Sequence, residues 1–312
     1  MERVAIQNFD QLLTFVGTLP SRRVVLVNPA SAETYRAVRE SLEKLNVVFH
    51  LVGDQNVIRE DLRAAGISND RIETHHAGGM GSALHCAIDL VQCGEGDILM
   101  KGSVDTSTMM KAVLSEKSGL RTGRLLTDIF IMEYPRREGN KFVMITDGGM
   151  TLAPDLSNKI ELVNNAVAVA HALGNLMPKV AILSATEFVL PNLPSTIDAA
   201  ALAKMNQRGQ IKNCIVDGPL ALDNALSPEA AEEKAIDSPV AGKAEILVAA
   251  NIESANSLAK STTYFADMRL AHVIVGAKVP ILIPSRADKS DAKLLSVAMG
   301  IVMSSQPQQA TS

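Results

Sequence analysis

Short apolar runs alternate with longer amphipathic stretches along almost the whole chain. In the first half, Val24-Val-Leu-Val-Asn-Pro, Val47-Val-Phe-His-Leu-Val-Gly, Ile98-Leu-Met-Lys-Gly and Lys141-Phe-Val-Met-Ile-Thr-Asp read as strands, with a weaker one near Arg71 to Thr74. Helical spacing covers Ala32 to Leu45, Val57 to Ala65, Ser82 to Cys93 and Thr106 to Leu114. In the second half the strands are Lys179-Val-Ala-Ile-Leu-Ser, Cys214-Ile-Val-Asp-Gly-Pro, Ala244-Glu-Ile-Leu-Val-Ala, His272-Val-Ile-Val-Gly and Val279-Pro-Ile-Leu-Ile. Helices fall at Leu156 to Leu173, Thr196 to Asn206, Ser227 to Lys234, Ser254 to Phe265 and from Ala292 onward. Alternation of this kind predicts an α/β architecture with mostly parallel sheets. A chain of 312 residues exceeds the size at which one core keeps growing, so two domains are expected, with a junction near Gly148-Gly149.

Composition narrows the class. Hydrophobic residues make up 47% and charged residues 21%, the balance of an ordinary globular protein. With no Trp, three Tyr and seven Phe, the core falls to aliphatic side chains, which suits helices covering parallel sheets. A formal net charge of −4 leaves no basic footprint for nucleic acid. Met1–Asp10 lacks the basic start and apolar core of a secretion signal, and no apolar run has membrane-spanning length. The expected compartment is the cytoplasm. Cys86, Cys93 and Cys214 are too few and too irregular for a disulfide framework or a metal knuckle, and read as buried free thiols.

In α/β sheets ligands bind beyond the carboxyl ends of the strands. The residues there are Lys101-Gly-Ser-Val-Asp-Thr, Asp147-Gly-Gly-Met, Ser184-Ala-Thr-Glu, Asp217-Gly-Pro-Leu, Asn251-Ile-Glu-Ser-Ala-Asn and Ser285-Arg286. They are polar, rich in glycine and hydroxyls and poor in histidine, which suits an extended anion better than a metal. Ser285 and Arg286 sit between a strand closed by Pro284 and a following helix. There, unpaired N–H donors and a guanidinium fork fit phosphate. The same turn also reads as an exposed helix cap, with Asp288 and Asp291 spaced as a capping box. Arg121-Thr-Gly-Arg124 reads equally as a phosphate holder or as a solvated basic turn, and Lys111 is similarly open. Gly79-Met-Gly gives only part of a dinucleotide fingerprint and reads as a helix-entry turn. His75, His76 and His85 lack a carboxylate to complete a metal set and read as surface or loop residues. His171 reads as a satisfied helix residue. No phosphate loop of the G-x-x-x-x-G-K-[ST] kind and no G-x-S-x-G elbow occurs.

Several ordered segments together resemble the phosphate acetyl/butyryl transferases, the butyryl branch above all. They include Lys101-Gly…Thr106, Gly119-Leu-Arg-Thr-Gly, Ala153-Pro-Asp-Leu, Glu161-Leu-Val-Asn-Asn-Ala-Val and Pro194-Ser-Thr-Ile-Asp-Ala-Ala. Lys204-Met-Asn-Gln-Arg-Gly-Gln-Ile-Lys, Val216-Asp-Gly-Pro-Leu-Ala-Leu-Asp, Asn251-Ile-Glu-Ser and Ser285-Arg-Ala-Asp continue the likeness, which is dense from about residue 98 to 303.

The resemblance implies two α/β domains with mostly parallel sheets and an interdomain cleft, of the isocitrate/isopropylmalate dehydrogenase kind. The expected segments are 1–148 with 286–312, and 149–285. It implies reversible transfer of a short acyl group, butyryl or branched preferred, between acyl-CoA and orthophosphate in a ternary complex. An acetyl-specific enzyme is the alternative, a two-domain anion-binding protein a more distant one. Coenzyme A enters as substrate; no tightly bound cofactor and no metal are expected, and a homo-oligomer is. Arg286 is cast as the phosphate holder, Ser285 as a transition-state donor and Asp291 as base on the thiol, with Asp288 as the other choice. Substrate binding is assigned to Lys101, Thr106, Lys111, Arg121, Asn251 and Glu253. Lys111 stands where the family usually has an arginine, keeping charge but losing the bidentate fork. Ser254-Ala255-Asn256 lacks the family's usual glycine before that Asn.

Overall fold

The computed structural model describes residues 5–135 and 137–306; residues 1–4 of the Met1–Asp10 stretch and residues 307–312 of the expected C-terminal segment lie outside them. The chain opens with α1 (Phe9–Val16), β1 (Arg22–Val27), α2 (Ala32–Lys44), β2 (Val47–Gly53), α3 (Gln55–Ala64) and β3 (Ile72–His76). Then come α4 (Met80–Gln92), β4 (Ile98–Lys101), α5 (Thr106–Leu114), β5 (Thr127–Glu133), β6 (Phe142–Thr146) and α6 (Leu156–Ala172). They lead to β7 (Lys179–Leu183), α7 (Pro194–Gln207), β8 (Ile215–Leu220), α8 (Leu222–Leu226), α9 (Pro228–Glu233) and β9 (Ile246–Val248). The last elements are α10 (Ile252–Tyr264), β10 (Leu270–Val275), β11 (Ile281–Leu282) and α11 (Ser290–Ser304). The expected strand–helix alternation is present; α1, β5 and α8 are additions to it.

Two compact units result. The first holds Phe9–Arg124 and residues 269–306; the second holds residues 5–8 and Leu125–Met268. The chain therefore changes unit at Phe9, Leu125 and Arg269, and not after residues 148 and 285 as expected. Strand pairing explains the difference. β5 and β6 form an antiparallel pair that β9 continues, so both belong with the second sheet. β10 and β11 pair with each other and β11 with β4, so both belong with the first.

In the first unit the strand order is β3-β2-β1-β4-β11-β10, parallel except for β10 against β11. Val24–Val27 of β1 are fully buried, as expected of a strand covered on both faces. α11 is buried from Lys293 to Val302 and rests on α1, α2 and β10. A helix apolar on every side can be stable only inside a core. Each fully buried Leu or Ile there contributes about 1.5–3 kcal/mol. In the second unit the order is β5-β6-β9-β7-β8, parallel beyond the β5–β6 pair. Pro219 lies inside β8. That strand ends the sheet, the position at which a missing N–H is tolerated.

Among the described residues no helix is long and apolar enough to cross a membrane. All three cysteines are free, but only Cys214 is buried as expected; Cys86 is half-buried and Cys93, closing α4, is exposed.

Candidate functional site

In the first unit the chain runs from β1 to β2 on one side and later returns to β4 on the other. The order of strands reverses between β1 and β4, the position where open α/β sheets take ligands. β1 ends into Asn28 and β4 into Lys101-Gly102. β11 lies parallel to β4, so its carboxyl end opens on the same edge and delivers Ser285 and Arg286 there.

The turn that carries them is closed twice. The Asp288 N–H donates to Ser285 O at 3.1 Å, and the Ser285 N–H donates to Asp288 Oδ2 at 2.7 Å. Arg286 and Ala287 are left at the exposed corner. The Arg286 guanidinium reaches Asp105 Oδ1 at 3.3 Å with the two side chains 71% and 77% exposed. An ion pair that open to water is worth at most about 1 kcal/mol, so it yields readily to a more highly charged anion.

Two buried lysines stand behind the turn. Lys101 Nζ donates to Val104 O at 3.2 Å, and Lys293 Nζ donates to Asp288 O. Burial lowers the Lys101 pKa, repulsion from Arg286 lowers it further, and Asp288 and Asp105 oppose the shift. Burial likewise lowers Lys293 against the pull of Asp288 and Glu33. Positive charge is thus concentrated where water is scarce, which strengthens its hold on an anion.

The capping box expected of Asp288 and Asp291 does not form. α11 begins at Ser290 behind Lys289, with no side-chain cap from that residue. Instead the Ser290 N–H donates to Glu33 Oε2 of α2 at 3.0 Å, and Ser290 Oγ to Glu40 Oε1 at 3.2 Å. The helix start is held by the protein's own carboxylates. Asp291 faces Arg269, its Oδ2 3.4 Å from Nε, and Arg269 also reaches Asp10 at 2.9 Å. Asp288, not Asp291, is therefore the carboxylate bound to Ser285. Thr106 opens α5, Lys111 is exposed on the same helix, and Arg121 is exposed beside a backbone bridge to Ala277.

Asn251 and Glu253 belong to the second unit. Asn251 Oδ1 accepts the Ser254 N–H at 2.9 Å, and Ser254 Oγ completes a capping box at the start of α10. Glu253, exposed in the first turn, suits the positive end of the helix. Where a glycine is expected, Ala255 is fully buried, and the neighbouring Asn256 Nδ2 donates to Gly148 O at 2.9 Å. Beside it, Asp147 Oδ1 accepts N–H bonds from Asp128 (3.2 Å), Gly149 (3.1 Å) and Met150 (3.1 Å), and Oδ2 accepts one from Thr151 (2.8 Å).

Burial raises the Asp147 carboxyl to about 6, with Asp128 adding to the rise and the N–H donors opposing it. The folded state then binds the proton more tightly than the unfolded one. That stability is complete below the ordinary carboxylate range and is lost as pH rises through about 6. Each tenfold difference in proton affinity between the two states corresponds to about 1.4 kcal/mol. The melting-temperature gap between the native chain and Asp147→Ala should narrow from pH 4 to pH 7. A gap that widens would contradict the sign.

Sequence reasoning passed over Lys293 and Glu33. The signal for Lys293 was a single lysine inside an otherwise apolar helical run, a position that costs too much unless the amine has partners.

Residues 73–301 match the family model described as Phosphate acetyl/butaryl transferase. The chain is 42% identical over 284 residues to a probable phosphate butyryltransferase of Bacillus subtilis (strain 168), covering 91% of this chain and 94% of that one. It is 47% identical over 216 residues to a phosphate acetyltransferase of Thermotoga maritima, covering 69% and 73%. The crystal structure of a branched-chain phosphotransacylase from Enterococcus faecalis V583 superposes with a TM-score of 0.81 at 29% identity, covering 92% of this chain and 100% of that one. The family model and these relatives place the chain: it belongs to the phosphate acetyl/butyryl transferase family.

Proposed function

We propose that the chain moves a short acyl group reversibly between coenzyme A and orthophosphate, with butyryl or branched acyl chains preferred, in a ternary complex. The observation that carries this reading is the doubly closed turn holding Arg286 at the strand-order switch, in front of buried Lys101 and Lys293. A phosphate oxygen attacks the thioester carbonyl, the C–S bond breaks, and the thiolate leaves with a proton. Charge builds on the carbonyl oxygen next to an anionic nucleophile. Fixed cations and N–H groups that offset this crowding contribute most to the rate.

In this reading Arg286 holds phosphate and Ser285 donates its hydroxyl to the developing charge. Asp288 takes the proton from the thiol in the reverse direction, the role for which the resemblance alone favours Asp291. A thiol of this kind has a pKa of about 8.5, so a positioned carboxylate helps only beside cations that stabilise the thiolate. The substrate-binding roles of Lys101, Thr106, Lys111, Arg121, Asn251 and Glu253 rest on family resemblance. So do the homo-oligomer and the lack of a tightly bound cofactor, while the cytoplasmic setting rests on Met1–Asp10, which lacks the features of a secretion signal, and on cysteine usage.

Phosphate-dependent thiol release from acetyl-, butyryl- and isobutyryl-CoA tests the reading. Intersecting initial-rate lines support a ternary complex; parallel lines would require an acyl-enzyme. A preference for acetyl is the second reading, favoured by the identity to the Thermotoga acetyltransferase, and the same panel separates the two. Asp288→Asn should slow the reaction at least tenfold and Asp291→Asn less than threefold; the reverse order would return the base to Asp291.

A further inference from the structure

The carboxylate expected to be missing beside His75 is Glu73, two residues earlier on the same strand, and the fold adds His50. β3 ends the first unit's sheet and, among the described residues, pairs with β2 alone, His50 opposite Glu73 and Val52 opposite His75. The two-residue period of a strand puts Glu73 and His75 on one face, with His50 beside them, and Thr74 and His76 on the other. Donor atoms of His50, Glu73 and His75 all lie within 4.8 Å of one another. His50 Nδ1 is 2.8 Å from His75 Nε2 and 3.6 Å from Glu73 Oε2. The rings stack with centroids 5.1 Å apart and planes 27° from parallel.

We propose that His50, Glu73 and His75 bind one divalent transition-metal ion, with Zn²⁺ the natural fit. Ligand bonds of about 2.0–2.1 Å in a tetrahedron set the donors about 3.3 Å apart, and the two separations from His50 Nδ1 bracket that spacing. Two imidazole nitrogens and one carboxylate oxygen make a mixed set that suits zinc and leaves a fourth position for water. His50 is only 4% exposed, and its Nε2 has no hydrogen-bond partner among the described residues. The polar hold on that ring therefore runs through Nδ1, toward the other two side chains. A strand paired on one side is the part of a sheet most prone to fray. An ion bridging β2 and β3 would fasten it, well apart along the sheet from β11 and Arg286. The competing arrangement, a proton held between the two rings, needs no ion and is an outcome of the test.

The experiment uses the untagged full chain, stripped with chelator and titrated with Zn²⁺ by calorimetry and with Co²⁺ by visible absorption. Expected are one equivalent bound with micromolar or tighter affinity, an intense tetrahedral Co²⁺ band, and a higher melting temperature with Zn²⁺. His75→Ala and Glu73→Gln, both at accessible positions, should each weaken binding at least tenfold while circular dichroism and thiol-release activity stay unchanged. His85→Ala should leave binding intact. Binding weaker than millimolar, or binding that survives His75→Ala, overturns the proposal and leaves a hydrogen-bonded histidine pair.

Discussion

Arg286→Ala lowers phosphate-dependent thiol release at least tenfold, about 1.4 kcal/mol of transition-state stabilisation, and a fall of about a hundredfold to a thousandfold is expected if the guanidinium meets the developing charge directly. The loss should fall on kcat/KM for phosphate, because the anion is what the fork grips. Folding should be indifferent. Arg286 is 71% exposed, and its ion pair with Asp105 is a surface contact of small worth. Melting temperatures of native and variant chains should therefore agree within about a degree, which separates a lost contact from a lost fold. Arg286→Lys should recover part of the rate, since charge remains while the planar pair of donors is gone. Turnover unchanged in Arg286→Ala would remove this residue from the site and, with it, the reading of the turn as a phosphate cradle.

Much of this arrangement was legible in the chain. Continuous apolar runs such as Val24–Val27 and Ile98–Met100 announced buried parallel strands because both faces are covered. Pro284 and the polar Ser285–Arg286 pair then marked where the last of them ends. What the sequence hid was pairing. Ile129-Phe-Ile-Met in β5 is as apolar as the other strands and pairs with the next strand, β6, but only the long-range pairing of β6 with β9 assigns the two to a unit. The unit boundary was misplaced for the same reason. Asp288 and Asp291 stand three apart, which local spacing reads as a cap; α2 intervenes with Glu33, and Arg269 draws Asp291 away. Long-range partners decided each of these cases, and no window of neighbouring residues contains them. The meeting of His50 with Glu73 and His75 is another instance, made only by the β2–β3 register.

Gly102→Ala should damage stability and catalysis together, through sterics rather than charge. A Cβ there would lie 2.4 Å from Asn28 O, 2.5 Å from Val27 O and 2.8 Å from Asn28 C. All of these are backbone atoms. They are also fixed, since the Gly102 N–H donates to Val27 O at 2.9 Å, the Ser103 N–H to Asn28 O at 2.8 Å, and Asn28 Nδ2 to Ser103 O at 3.0 Å. Asn28 itself holds a positive φ of 49°, which its type tolerates, while its N–H donates to Val52 O at 2.7 Å and ties the same segment to β2. No rotamer change can relieve the contact, so the ends of β1 and β4 must part. Forced overpacking of this kind costs about 1–3 kcal/mol, occasionally more, at about 2–4 °C in melting temperature per kcal/mol for a domain of this size. The same parting moves Lys101 and Asp105, which flank Gly102 and face Arg286, so kcat should drop even at temperatures where the variant is fully folded. Gly81→Ala is the control, because nothing lies within 4 Å of a Cβ built there. If Gly102→Ala melts and turns over like Gly81→Ala, the close approach of the two strand ends is not what shapes the site.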